Sequence, residues 1–175
     1  EVTGFVQSLE VSREIKMMSD SIVEVVSAEE MGKLPDVSIA ESLARLPGLT
    51  VQRLNGCGQV VSVRGLAPDF TTALLNGREQ VRAGDNRGVE FDQYPAELLS
   101  AAVVYKTPDA ALIGQGLAGT VDLRTVRPLE YGKRAITGNV FYEWNQLDAL
   151  NDGAEDPGNR YTPSYIDPFA DDPIG

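Results

Sequence analysis

Apolar and polar residues alternate along this chain at two different periods, and the period marks the elements. Short strand-like runs predict strands over 22–26, 49–53, 59–64, 71–75, 103–106 and 120–125, the last of them alternating at a period of two. Asn76-Gly77 follows one of these runs and is a strong turn signal. Helical spacing shows in Ile39, Leu43 and Leu46, with Ala40 and Ala44 beside them, an apolar face that Pro47-Gly48 ends. Two capping boxes, Ser27 to Glu30 and Ser38 to Glu41, predict helix starts. Pro95 suits the first position of a third helix running through Ser100. Short helices mixed with short strands predict a small α+β domain. The irregular stretch 77–92 is long for such a domain, which keeps loops of that kind when they bind something.

Past Pro128 the pattern changes. Over 136–145, Ile136, Val140, Tyr142 and Trp144 fall on one face, with Thr137, Asn139, Glu143 and Asn145 on the other. A sandwich strand has this pattern, and so does an outer-membrane barrel strand, which its length and its aromatic pair also fit. A loop over 148–159, a returning strand over 160–166 and a turn over 167–175 complete the chain.

Gly114-Gln-Gly-Leu-Ala-Gly119 has the G-x-G-x-x-G spacing of dinucleotide-binding loops. That motif works by opening a helix, whose N-terminal N–H groups hold the pyrophosphate. Here Thr120 to Thr125 alternates as a strand, so no helix end is on offer and no nucleotide is expected. The glycines are expected to let the chain turn and approach neighbouring backbone.

Composition narrows the classes. With 175 residues, 42% of them hydrophobic and 23% charged, the chain can bury a core. A net charge of −11 spread along it argues against nucleic-acid binding and a polybasic membrane anchor. No apolar run is long enough for a transmembrane helix. One cysteine, Cys57, allows no internal disulfide, and the absence of histidine excludes His-based catalysis and most zinc sites. The acidic residues form no metal loop of fixed spacing, and no cofactor is expected. Glu1-Val-Thr-Gly-Phe has neither initiator Met nor charged leader, which reads as the interior of a processed chain.

Six stretches in order resemble the plug domain of TonB-dependent outer-membrane receptors: Leu34 to Arg53, Val61 to Leu66, Phe70 to Arg78, Tyr94 to Ser100, Val104 to Pro108, and Gly114 to Pro128. The resemblance implies an α+β plug domain over 20–130, after a coupling or linker segment 1–19 and before the first two strands of a transmembrane β-barrel, 131–175. A plugged barrel of this class has about 22 strands, so the chain reads as the start of a longer transporter. The implied function is a non-enzymatic gate for active uptake of a scarce nutrient: a carbohydrate, a siderophore or a similar small molecule or oligosaccharide. The implied partners are TonB, the substrate and outer-membrane lipid around the barrel. The implied location is the bacterial outer membrane, with the N-terminus periplasmic. A signalling receptor of the same fold and a soluble glycan-binding or hydrolytic protein are the alternatives.

The same resemblance assigns roles to residues. Arg64 and Lys106 would pair with barrel glutamates outside this sequence and lock the plug. Glu1, Val2 and Thr3 resemble the tail of the segment that couples to TonB by strand addition. Arg53, Asn55, Asp69, Phe70, Arg82, Asp85, Asn86 and Arg87 lie on three polar loops. There arginine forks and amide or carboxylate groups suit a substrate's polar groups, and Phe70 could stack on a ring. Opening is expected to start in 1–19, then to peel 22–26 and the Ser38 helix; a cross-link between positions 24 and 50 tests this if those strands are neighbours.

Overall fold

The computed structural model describes residues 2–27, 38–54, 56–82, 87–94, 96–113, 116–132, 134–144 and 157–168. The chain divides into two units, Glu1–Val126 and Arg127–Gly175.

The first unit is built on a five-stranded mixed sheet. Its strands are β1 (Val23–Ser27), β4 (Thr71–Leu75), β5 (Arg78–Glu79), β6 (Leu99–Tyr105) and β7 (Gly119–Thr125), in the order β1-β6-β7-β4-β5. Only the β4–β7 pair is parallel. A hairpin of β2 (Leu49–Leu54) and β3 (Cys57–Val63) forms a separate sheet. With the short helix α2 (Ile39–Leu43), the hairpin contributes Ile39, Leu43, Leu49, Val61 and Val63 to a core that the sheet completes with Val104, Val121 and Ala73. Those last three form one row across β6, β7 and β4. Full burial of side chains this size stabilises by about 1.5–3 kcal/mol each.

The opposite face of the sheet has its own small cluster of Val23, Val25 and Val103, against which Ile15 packs. Ile15 belongs to α1 (Val2–Met18), a helix over most of the segment expected to be a linker. Residues 9–18 consist mostly of good helix formers, and Ser12 and Ile15 turn inward. Strand β6 is thus covered on both sides, which is why Ala102-Val103-Val104 is continuously apolar where a half-exposed strand would alternate.

Several expectations change. Residues 24 and 50 are not on neighbouring strands: Glu24 lies opposite Val104, and Thr50 opposite Ser62. The Ser38 capping box does not form. The Ser38 hydroxyl donates to the Gly58 carbonyl at 2.7 Å, which helps fasten α2 to β3, and Glu41 faces Arg53 instead. The expected third helix is one 3-10 turn, Ala96–Leu98, and then strand. Leu99 is drawn into the core, and the Ser100 hydroxyl bonds to the carbonyls of Arg124 and Thr125. The division between the two compact units falls after Val126. Residues 28–30 of the first capping box, Pro95 and Gly114 lie outside the described residues.

The glycine-rich loop does lead into a strand. Gly119 opens β7 at φ +153, and a Cβ there would stand 2.6 Å from the Tyr105 carbonyl oxygen. Asn76 and Gly77, both at positive φ (51 and 75), make the tight β4–β5 turn.

The second unit holds a short helix α3 (Pro128–Tyr131) and the antiparallel pair β8 (Ala135–Glu143) and β9 (Gly158–Ile166). Cross-strand register places Ile136 opposite Tyr165 and Val140 opposite Tyr161, with Tyr142 on the same face. The rings of Tyr142 and Trp144 lie 5.8 Å apart. The other face carries Thr137, bonded to Ser164, together with Asn139 and Phe141, over whose ring Arg160 stacks at 4.5 Å.

Replacing Gly119 by Ala forces its methyl group against the Tyr105 carbonyl. We expect a loss of about 1–3 kcal/mol, seen in thermal denaturation as a midpoint lower by roughly 5–15 °C; an unchanged midpoint would show that the β6–β7 approach is not tight.

Candidate functional site

The expected loop residues are only partly brought together. The 3-10 turn Pro68–Phe70 meets the long loop after β5 where Asp69 Oδ1 accepts the Gly88 N–H at 3.2 Å. Phe70 next to it is 45% exposed. In that loop Arg82 pairs with Glu90 at 2.7 Å. Tyr94 donates from its hydroxyl to Gln80 at 3.1 Å, tying the loop's two ends. Arg53, at the end of β2, faces Glu41 of α2 at 3.5 Å and not a loop residue. Arg87 is exposed. Asn55, Asp85 and Asn86 lie outside the described residues.

Arg64 sits in the left-handed region at φ 55, ahead of Gly65 at φ 74. Such a conformation is uncommon for a side chain of this size. It is held from both ends. The Arg64 N–H donates to the Gly48 carbonyl at 2.8 Å, and the guanidinium Nε and Nη2 donate to the carbonyls of Ala118 and Leu117, each at 3.0 Å. Arg64 therefore clasps the loop that feeds β7, a bond inside the unit that spacing alone did not reveal.

Lys106 also has a partner within the chain, beside any that the expected lock would place outside it. Its Nζ lies 3.2 Å from Oε1 of Glu24, and Lys16 of α1 lies 2.5 Å from Oε2 of the same carboxylate. Burial raises the pKa of Glu24, but hydrogen bonds and charge from the two lysines outweigh it and hold the carboxyl below its ordinary value. One carboxylate thus joins α1, β1 and the end of β6. Its only signal in the sequence is an acid inside the apolar run Val23-Glu-Val-Val26. Asp122 has the same signal within β7. Nearly buried, it accepts the Gly77 N–H at 3.0 Å and Arg124 Nε at 3.2 Å, and so holds the β4–β5 turn to the sheet.

Val2 and Thr3, expected in an extended coupling segment, lie in α1, and Glu1 is outside the described residues. Among the described residues no group of His, Cys, Asp and Glu could hold a metal ion, and no helix is long and apolar enough to cross a membrane.

The family model described as TonB-dependent Receptor Plug Domain matches residues 16–121. This chain belongs to that family. It is 32% identical over 115 residues to the probable TonB-dependent siderophore receptor PirA of Acinetobacter baumannii, a match covering 57% of this chain and 15% of that protein. The solved structure of the siderophore receptor PirA from Acinetobacter baumannii matches with a TM-score of 0.63 and 22% identity, over 91% of this chain and 24% of that one. The siderophore receptor PirA from Pseudomonas aeruginosa matches with a TM-score of 0.63 and 23% identity, over 87% and 25%. The chain spans about a quarter or less of these relatives, so it carries the plug and an early part of the barrel fold. Plug relatives are outer-membrane receptors, not enzymes, which sets aside the soluble hydrolase.

Because the Glu24 pKa is lowered in the folded plug, the docking it supplies is complete above the ordinary carboxylate pKa and is lost as pH falls through the lower folded value. In hydrogen exchange, we expect α1 and β1 amides to lose protection as pH falls below the ordinary carboxylate range. Glu24→Gln should show weaker protection at neutral pH and no such step. A step of the same size in the variant would assign it to another carboxylate.

Proposed function

We propose that this chain is the gate of an outer-membrane transporter driven by TonB, and that its cargo is a ferric siderophore. The observation that carries this reading is the 32% identity over 115 residues to a protein named as a siderophore receptor. It narrows the carbohydrate, oligosaccharide or siderophore choice left open by the residues alone. A folded plug inside a barrel lumen leaves no path for a chelate this large, so transport requires part of the plug to move.

The cargo-facing surface is the set Arg53, Asn55, Asp69, Phe70, Arg82, Asp85, Asn86 and Arg87. Arginine forks suit the anionic oxygens of a chelate, and the Asp69–Gly88 bond holds two of the loops in one place. Arg64 and Lys106 fasten the plug, and barrel carboxylates would add to the internal partners described above. TonB acts from the periplasmic side at Glu1, Val2 and Thr3. Strand addition needs extended backbone, so this coupling requires the first turn of α1 to unwind. Lipid of the outer membrane contacts the aromatic face of β8 and β9.

Two experiments test the reading. Arg82→Ala combined with Arg87→Ala should weaken binding of a ferric siderophore to the full-length receptor by about tenfold or more, as for loss of charge-assisted hydrogen bonds. Equal affinity in a titration would remove these residues from the surface.

The second concerns opening. Strand β1 is outermost in the sheet and follows α1, so displacement of α1 pulls on it first. Cysteines replacing Val25 and Val103, which are register partners, should form a disulfide in a receptor whose Cys57 is replaced by Ser, because directly opposed strand residues lie at bridging distance. With that bond closed, siderophore uptake by cells should stop while binding persists, and a reductant should restore it. Uptake at the normal rate through a fully cross-linked plug would place the opening elsewhere.

A further inference from the structure

Strand β1 pairs with β6 along one side and has no strand neighbour among the described residues along the other. The direction of its backbone groups follows from one bond. The Lys106 N–H donates to the Ile22 carbonyl at 2.8 Å, so residue 22 faces β6. Alternation then turns Glu24 and Val26 toward β6 as well, and turns the N–H and C=O groups of Val23 and Val25 to the open side. Such a row of backbone groups is a template for another strand.

Beside this edge runs a groove between α1 and β1, lined by Leu9, Ser12, Arg13, Lys16, Met17 and Val25. The helical residues recur at three- and four-residue steps and form one stripe, with Glu10 at its edge beside Met17 and Glu14 turned further away. The stripe combines two cations with apolar side chains. Its floor holds the Ser12 hydroxyl, which belongs to a residue only 7% exposed and has no hydrogen-bond partner among the described residues. A buried hydroxyl of this kind costs free energy until an incoming group bonds to it.

Lys16 has a second role here. Val26, two positions from Glu24, packs in the main core, whereas Val23 and Val25 face α1, so Glu24 lies on the sheet face away from α1. To reach Glu24, Lys16 passes across the open edge of β1. A lysine in that place guards an edge against casual pairing. It also makes the edge selective: a carboxylate arriving on a new strand can take Lys16 from Glu24, and Glu24 keeps Lys106 at 3.2 Å. No charge is left without a partner by the exchange.

We propose that the open edge of β1 and the adjoining α1 groove form a strand-addition site for an extended peptide whose side chains alternate between apolar groups and carboxylates. Apolar side chains of the added strand rest on Leu9, Met17 and Val25. Its carboxylates meet Arg13 and Lys16, and its backbone pairs with Val23 and Val25. The site is independent of which cargo the receptor carries.

The test uses the full-length receptor in detergent and a fluorescein-labelled octapeptide of alternating valine and glutamate, followed by fluorescence anisotropy. Saturable binding is expected. A valine–lysine octapeptide should bind roughly tenfold more weakly or worse, because like charges then meet in the groove. A valine–glutamate peptide with alternate amides N-methylated should lose binding, since it cannot pair as a strand. Arg13→Glu, at an exposed position that leaves the core untouched, should also cut affinity by roughly tenfold. Exchange of the Val23 and Val25 amides should slow when the unmodified peptide is present. No binding, equal binding of the N-methylated peptide, or Val23 and Val25 amides already protected before peptide is added because the barrel wall covers the edge, would each overturn the proposal.

Discussion

A strand with no exposed face needs a packed layer on each side of it, and β6 imposes that requirement on the whole plug. Val104 and Val103 point in opposite directions and both are fully buried. The β2–β3 hairpin and α2 meet the first demand, and α1 meets the second. Neither layer is optional in the same way. The hairpin side carries many large apolar contacts, whereas the α1 side rests on Ile15, three valines and Tyr105. A layer with so little apolar burial opens at lower free energy than the main core.

Carboxylates do the fastening where apolar contact is thin. Glu24 and Asp122 interrupt valine-rich strands, and each is satisfied on more than one side: Glu24 by two lysines, Asp122 by a backbone N–H and an arginine. Satisfying both oxygens matters because a partly buried carboxylate without partners would cost several kcal/mol. In this arrangement each acid ties together segments far apart in the chain, and neither is available for chemistry.

Much of the plug was legible in the residues. Strand positions followed from short apolar and β-branched runs, and Thr71–Leu75 matched in full, because a five-residue run of this kind bounded by a Pro-containing turn and Asn-Gly has little else to be. Helices were read less well. Segment 1–19 shows only a weak apolar stripe, so its helix depends on packing against β1 that no local pattern reports. Leu99 and Ser100 follow a proline suited to a helix start, yet the core claims Leu99 for β6. At the candidate site, residue type was a good guide and partner a poor one. Arg64 and Lys106 stood out as constrained cations, but their partners, two carbonyls and Glu24, come from positions 53, 54 and 82 residues away. Register across a sheet, not spacing along the chain, decides such pairs.

Among the described residues, the hairpin of β8 and β9 has two strands, no strand partner at either edge and one face of Ile136, Val140, Tyr142, Trp144, Tyr161 and Tyr165, each more than half exposed. A lone two-stranded ribbon is marginal in water. An aromatic face with open edges makes it a seed for aggregation as well. The first unit ends at Val126, before any of this surface begins. Solubility of the purified polypeptide therefore turns on the part after Val126: ending the chain there removes the sticky ribbon and leaves the plug core whole, while detergent or the remaining barrel strands would be needed to keep the longer piece dispersed.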